Sequence, residues 1–513
     1  MKVCVIDIGT NSVHALFAEI HATGAFHVIG KEKEMVRLGD GAMVTGLLAE
    51  DTMQTTLAVL QRFLHLAKHR KMARVIATAT SAIRESRNGG AFLDRIRSVT
   101  GLKVHIITGE EEGRLIALAV QNTIHFSKHK ALIMDIGGGS TEFVAATQKQ
   151  NLWIESLHLG SNRLSQLFPL SNPPKKMEVK KLERYVLKTL KPVFKKLKKN
   201  PIGTLIGTSG TIINFYKTAR QIGKSSKDNT KVGAVVSRKM VETTYQKLTA
   251  CKMSDLSKIK TIDPQRRDMI VGGATILATL FKHSNLKGLT VCDKALREGI
   301  LYDFIEKNRG ALKIEADTKS LRRRSILTLA ALAPAQKSHA EHTAKLALQF
   351  FDALQKKKMI PKTHRDLLEY AALLHDVGYH ISFNRHHRHT YYLITNTELH
   401  GFSAAEIQTM AWVARLHRRS LPKKEDAFIK FPPAQQKLIL QLAAILRLAD
   451  AFDHSHFGLV KKLSCKFSVN TVVITAHTQQ DAQWEVYEAS ERRSLFEDIF
   501  GKKLELKIKQ MSS

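Results

Sequence analysis

Met134-Asp135-Ile136-Gly137-Gly138-Gly139-Ser140-Thr141 repeats, about one domain further along the chain, the pattern of Ile6-Asp7-Ile8-Gly9-Thr10-Asn11-Ser12. Each reads as a strand, an aspartate near its end, a glycine turn and the start of a second strand. Two units of one kind predict a duplicated fold with a cleft between its halves. On either side of these turns, strand-like runs at 3–9, 73–80, 103–108, 130–137, 203–208 and 289–293 alternate with helical patterns at 53–69, 90–99, 110–122, 210–221, 265–283 and 296–308. That alternation predicts an α/β architecture over residues 1–310. From about residue 316 to 455 helical periodicity takes over, with ten or more histidines. KLSCKFSV (462–469), TVVITAH (471–477) and QWEVYE (483–488) then alternate in a way that predicts a small β-rich cap. The expected division is 1–124 and 125–310 for the two lobes, 311–458 for an all-α domain, and 459–513 for the cap.

Composition narrows the class. The chain has 513 residues, 43% hydrophobic, with 80 Lys plus Arg against 46 Asp plus Glu, a formal charge of +34. That hydrophobic content excludes wholesale disorder. Cys4, Cys251, Cys292 and Cys465 form no CxxC pair, which argues against a disulfide scaffold or zinc finger and for a reducing compartment. MKVCVIDIGTN lacks a secretory apolar core, and no stretch reaches 18 uninterrupted apolar residues. A cytoplasmic protein without a membrane partner is expected. The charge should attract polyanions. Residues 175–199 hold eleven Lys/Arg against Glu178 and Glu183, with Val179, Leu182, Val186, Leu190, Val193 and Leu197 at helical spacing. This predicts a basic amphipathic helix, with Pro192 as a kink point. Only Tyr185 and Phe194 interrupt the run as aromatics, a poor stacking platform, so no specific nucleic acid is expected.

Glycine turns after strands bring backbone N–H groups close to phosphate oxygens. Gly137, Gly138 and Gly139 supply such a turn, with the Ser140 and Thr141 hydroxyls as further donors. Asp135 and Glu142 flank it, as ligands for Mg²⁺ or Mn²⁺. A third loop, Gly207-Thr208-Ser209-Gly210-Thr211, follows a strand and opens a helix, adding N-terminal N–H donors. The absence of GxxxxGK[ST] and of a helix-opening GxGxxG excludes a P-loop enzyme and disfavours a dinucleotide fold.

The strings VIDIGTNSVHALFAEI, TATSAIRES, ITGEEEGRLI, MDIGGGSTEFV, IGTSGTI and PQRRDMIVGGATIL, in this order, resemble the exopolyphosphatase / guanosine-pentaphosphate phosphatase family. The resemblance implies a duplicated actin-like (ribonuclease H-like) two-lobed phosphatase module with the catalytic cleft between the lobes. Spacing alone does not choose among Glu110, Glu111 and Glu112, since consecutive helical residues point about 100° apart. The family's catalytic Glu precedes its Arg-Leu pair by two residues, which maps onto Glu112 before Arg114-Leu115. Gly113 stands where the family usually has Ala, a change worth up to about 1 kcal/mol of helix stability. Arg84 and Arg266 match the family's phosphate-contacting arginines, and Arg267 is an alternative to the latter. Asn11 and Ser12 are expected to donate to phosphate oxygens, and Asp7 to meet the metal through water or to cap the turn.

Downstream, His339, His375-Asp376 and Asp450 follow the H…HD…D order of HD-type phosphohydrolases, a candidate set for a second divalent metal. His389 and His417 are candidates for a further one. In longer family members the corresponding domain contributes to substrate binding and dimer formation, so a homodimer is expected. A basic surface lining a polyanion path, including RHHRH (385–389), is the competing account of these histidines. The expected activity is exopolyphosphatase, with pppGpp hydrolysis to ppGpp as the alternative. A non-catalytic polyanion sensor and a sugar-kinase activity are further rivals. The Glu112 context implies water as acceptor.

Overall fold

The computed structural model describes residues 1–124, 130–223, 233–312, 321–418 and 426–511. The chain forms two compact units, Met1–Glu315 and Ala316–Ser513.

In the first unit, the sheet of lobe I contains β1 (Lys2–Ile8), β2 (Ser12–Ile20), β3 (Phe26–Met35), β4 (Arg74–Ala79) and β5 (Val104–Ile106) in the order β3-β2-β1-β4-β5. β1, β2 and β3 run antiparallel, while β1, β4 and β5 run parallel. Lobe II contains β6 (Ala131–Ile136), β7 (Thr141–Ala146), β8 (Asn151–Leu157), β9 (Thr204–Thr208), β10 (Val235–Ser237) and β11 (Gly288–Val291). Its order is β10-β11-β9-β6-β7-β8. β6, β7 and β8 are antiparallel, and β6, β9 and β11 parallel, so five strands repeat the lobe I topology and β10 is added antiparallel at the edge. The duplication expected from the two Asp-Gly turns is thus present in the sheets. Central strands are buried on both faces: β6 is buried at all six positions, whereas edge strand β3 alternates along Gly30-Lys31-Glu32-Lys33-Glu34. Gly9 N–H donates to Ser12 O at 3.1 Å, and Gly137 N–H to Ser140 O at 3.0 Å. A Cβ at either glycine would lie 3.0–3.1 Å from that same carbonyl, so the tight turn selects glycine twice.

The basic run forms two helices, Lys176–Thr189 and Lys191–Lys199, broken at Leu190. Pro192 sits in the first turn of the second helix, where its missing N–H costs nothing. Leu182, Val186, Leu190, Val193 and Leu197 are buried in the lobe II core, so this helix pair is anchored on its own lobe, with its lysines exposed except Lys196, which pairs with Glu155 at 2.6 Å.

The second unit begins with helices Leu321–Ala330, Lys337–Lys356, Arg365–Leu374, His386–Asn396, Ala404–Arg415 and Pro433–Ala451. They are followed by a sheet of β12 (Val460–Phe467), β13 (Thr471–Thr478) and β14 (Lys503–Gln510). One core runs through both parts: Phe350, Trp412 and Phe452 of the helices share it with Val472, Ile474 and Phe496. The expected boundary at 458/459 therefore separates no two cores. QWEVYE is helical, within Gln483–Glu491, not a strand. Glu485 and Ala489 are buried one helical turn apart, while Trp484 and Tyr487 stack outside with ring centroids 5.5 Å apart. The third strand is instead β14, parallel to β13. Among the described residues no helix is long and apolar enough to cross a membrane.

Candidate active site

The two Asp-Gly turns and the helix Gly109–Gln121 meet at a cavity of about 260 Å³ in the first unit. Thr108 caps that helix, its hydroxyl accepting from Glu111 N–H at 3.1 Å. Of the three consecutive glutamates, Glu110 is exposed, and Glu111 pairs with Arg114 at 2.7 and 2.8 Å. Glu112 alone is buried and lines the cavity. Arg84 donates to Glu112 Oε2 at 3.2 Å and to the Ile107 carbonyl at 2.8 Å, which fixes the guanidinium beside the carboxylate. A Cβ at Gly113 would come 2.8 Å from Ile154 Cγ2 and 3.3 Å from Val144 Cγ2, so the departure from alanine suits the packing here.

Four carboxylates share this region. Asp135 and Glu142 are cross-strand partners on β6 and β7. Asp7 occupies the equivalent place on β1, where its partner is His14. Burial and the neighbouring Glu142 push Glu112 well above the ordinary carboxylate range, against the pull of Arg84. Burial, then Glu112 and Asp7, push Asp135 up to about 8. Burial, then Asp135, push Glu142 up to about 8, although Ser156 Oγ donates to it at 2.9 Å. Burial raises Asp7 to about 6, and its Oδ1 is buried without a hydrogen-bond partner. Buried carboxylates that repel one another and have spare lone pairs suit a hard divalent cation with oxygen ligands. Asp7 and Asp135 line the cavity and Glu142 does not, so the donor chemistry of a hard divalent cation is present here without a preformed three-ligand site among the described residues.

The anion-binding side is built from both halves. Asn11, Ser12, Gly137, Gly138, Ser140, Ser209, Gly210 and Arg266 all line the cavity. A Cβ at Gly138 would lie 2.8–3.0 Å from the Asn11 amide, so glycine there lets the two turns approach. Ser209, first residue of the helix Ser209–Ile222, is held at φ +88°. A non-glycine residue in that region is strained, as is common where backbone N–H groups are aimed at a ligand. Arg266 packs against Gly210, and Arg267 points to a second cavity of about 450 Å³ lined also by Arg37, Asp40, Asn162 and Gln166.

Three expected donors lie elsewhere. Gly207 is inside β9, with its carbonyl taken by Cys292 N–H at 2.9 Å and its Cα face against Leu289 and Ile212. The Thr141 hydroxyl donates to the Leu159 carbonyl. Gly139 turns toward Ser81 and Thr10, and its carbonyl accepts from Arg163 Nε at 2.7 Å. Conversely, Lys33 and Arg297 line the cavity without having been anticipated. They come from an edge strand and from the start of the helix Leu296–Lys307, and neither lies in a glycine-turn pattern.

In the second unit the buried side chains of His339, His375, Asp376 and Asp450 lie together. His417 joins Asp376 there, but its companion is His386 rather than His389.

The family model for Ppx/GppA phosphatases matches residues 17–308, and that for Ppx/GppA phosphatase domain III matches residues 321–490. An exopolyphosphatase from Cytophaga hutchinsonii is 28% identical, with 60% of this chain and 98% of that chain covered and a TM-score of 0.57. The Aquifex aeolicus member of the Ppx/GppA family is 31% identical over 60% of this chain and 98% of that one, with a TM-score of 0.52.

Proposed function

The chain belongs to the Ppx/GppA phosphatase family, and from that premise we propose that it is an exopolyphosphatase releasing terminal orthophosphate from long-chain polyphosphate. The observation that carries this reading is the content of the cleft. Within about 260 Å³ it combines Glu112 with Lys33, Arg266, Arg297 and the backbone of two glycine turns. That volume lies below the usual 300–1,000 Å³ of organic-ligand pockets and suits the end of a phosphate chain. Asn11, Ser12, Gly138, Ser140, Gly210 and Arg266 hold the phosphoryl oxygens. Glu112, oriented by Arg84, takes a proton from water as its oxygen bonds to the terminal phosphorus and the bridging P–O bond breaks. The shortened chain leaves with the negative charge. Asp7, Asp135 and Glu142 are the residues that would hold Mg²⁺ or Mn²⁺, which when bound supplies charge neutralisation at the phosphoryl oxygens. The net charge of +34 supports a long polyanion as substrate.

The second reading is pppGpp hydrolysis. It is favoured by the 450 Å³ cavity, whose Leu164, Phe168 and Val271 would cover a base while Asp40 accepts from its N–H groups. Phosphate release from long-chain polyphosphate and from pppGpp, measured in parallel with Mg²⁺, separates the two. The expected result is at least about a tenfold higher kcat/KM for polyphosphate, falling steeply between 50 and 200 mM salt, as on other polyanions held by many cations. A preference for pppGpp with shallow salt dependence would overturn it. ADP formation with a small-molecule acceptor would instead favour a kinase.

A further inference from the structure

The two Asp-Gly turns place a serine at the same point of each lobe, Ser12 at the start of β2 and Ser140 just before β7, and the residue two further on differs between them. In lobe II it is Glu142, the cross-strand partner of Asp135, and the Ser140 hydroxyl donates to its carboxylate. A carboxylate only accepts, so the proton of Ser140 is committed to Glu142. In lobe I the same position is His14, the cross-strand partner of Asp7, and its Nε2 lies 2.7 Å from Ser12 Oγ. Ser12 and His14 both line the cleft cavity.

An imidazole, unlike a carboxylate, can give or take this hydrogen bond, and its other nitrogen decides which. His14 Nδ1 is buried without a hydrogen-bond partner. Lys33, beside His14 on β3, is a donor only, as are Arg297 and Arg266, the other cations that act on the ring. Asp7 Oδ1, across the strand pair, is likewise without a partner, so it takes no proton from Nδ1. A buried N–H with no acceptor is rare and costly. Burial, then Arg297, Lys33 and Arg266, hold the imidazole well below the ordinary histidine range, so the ring carries one proton and not two. With Nδ1 bare, that proton is on Nε2, and Nε2–H donates to Ser12 Oγ. The Ser12 hydroxyl then has no acceptor in the ring, and its own proton is free to face the cavity.

We propose that His14 is a positioning residue for substrate binding: it donates to Ser12 and thereby turns the Ser12 hydroxyl proton into the cleft, toward a phosphoryl oxygen. The matched serines have opposite polarity as a result. Ser12 offers a side-chain proton to an anion, whereas Ser140 can serve one through its backbone N–H alone. Lys33 and Arg297, which also line the cavity, draw the anion in. A hydroxyl whose direction is fixed before binding sets where one of its oxygens sits, with no reorganisation at the moment of reaction. The inference rests on the reading of this cleft as a phosphate site, and it deepens that reading by assigning the residue that sets one donor.

Nuclear magnetic resonance of the full chain labelled with nitrogen-15 histidine reads the tautomer directly, with the His14 signals assigned by their absence in His14→Gln. The nitrogen shifts should show a protonated Nε2 and a bare Nδ1; the reverse would overturn the proposal. In steady-state kinetics on polyphosphate, His14→Phe, which fills the space but cannot donate, should lower kcat/KM about tenfold, mostly through KM. His14→Gln, whose amide N–H can donate to Ser12, should bring kcat/KM back to within about threefold of wild type. Ser12→Ala should cost at least as much as His14→Phe, and the double variant no more than Ser12→Ala alone, because both act through one hydroxyl. Additive losses would overturn the proposal, since His14 would then act on the substrate by itself. If His14→Phe does not fold, the wild-type spectrum decides. Wild-type protein that releases no phosphate from polyphosphate would count against the cleft reading, and the spectrum would still decide the role of His14 toward Ser12.

Discussion

Replacing Glu112 with Gln is expected to lower kcat for phosphate release by about 10³-fold while KM changes less than about threefold, since a positioned general base contributes about 10²–10⁴-fold. The amide has the shape of the carboxylate, and its oxygen still accepts from Arg84, which donates at 3.2 Å in the wild type. What the variant loses is the capacity to take a proton from water. Steady-state kinetics on polyphosphate check this. A loss of less than tenfold would move the base to Asp135 or Glu142, the other carboxylates with strongly raised proton affinity.

Asp135→Asn should divide function from stability in opposite directions. Removing a ligand of the proposed cation should cost about 10³-fold in kcat at saturating substrate, roughly 4 kcal/mol of transition-state stabilisation. The metal-free protein should nevertheless become more stable at pH 8.5. Asp135 and Glu142 titrate near 8 in the folded chain against ordinary values of 3.8 and 4.5. Between those limits the folded state holds protons that the unfolded state has released, so stability falls as pH rises through that window. Wild-type protein in EDTA should therefore melt at a lower temperature at pH 8.5 than at 5.5, with Mg²⁺ restoring it. The variant, with one buried charge fewer, should show a smaller drop and a smaller Mg²⁺ shift. If it is less stable than wild type in EDTA at pH 8.5, the carboxylate cluster is not the electrostatic burden described.

The parts of this molecule that are local in sequence were legible there. The paired Asp-Gly turns depend on contacts within four residues, Gly9 to Ser12 and Gly137 to Ser140, and they foretell the duplicated sheets. The choice of Glu112 over Glu110 and Glu111 needs the rotation of one helix relative to β7 and β8, which spacing does not contain; a resemblance supplied it. Lys33 and Arg297 reach the cleft only through tertiary placement. The run Arg385-His386-His387-Arg388-His389 is ambiguous for a similar reason: its helix begins at His386, and the phase of that first turn, not composition, decides which ring points inward. Gly207 misleads in the other direction, since a glycine closing a strand reads as part of a loop although Leu289 and Ile212 leave no room for a side chain there.

If Glu112 acts as proposed, water attacks the terminal phosphorus in its cleft. Phosphate release from long-chain polyphosphate in water enriched in oxygen-18, with Mg²⁺ and limited to one turnover, tests this. Each released orthophosphate should carry one solvent oxygen and the shortened chain none. Label in the shortened chain, or phosphate passing to an acceptor other than water, would contradict it.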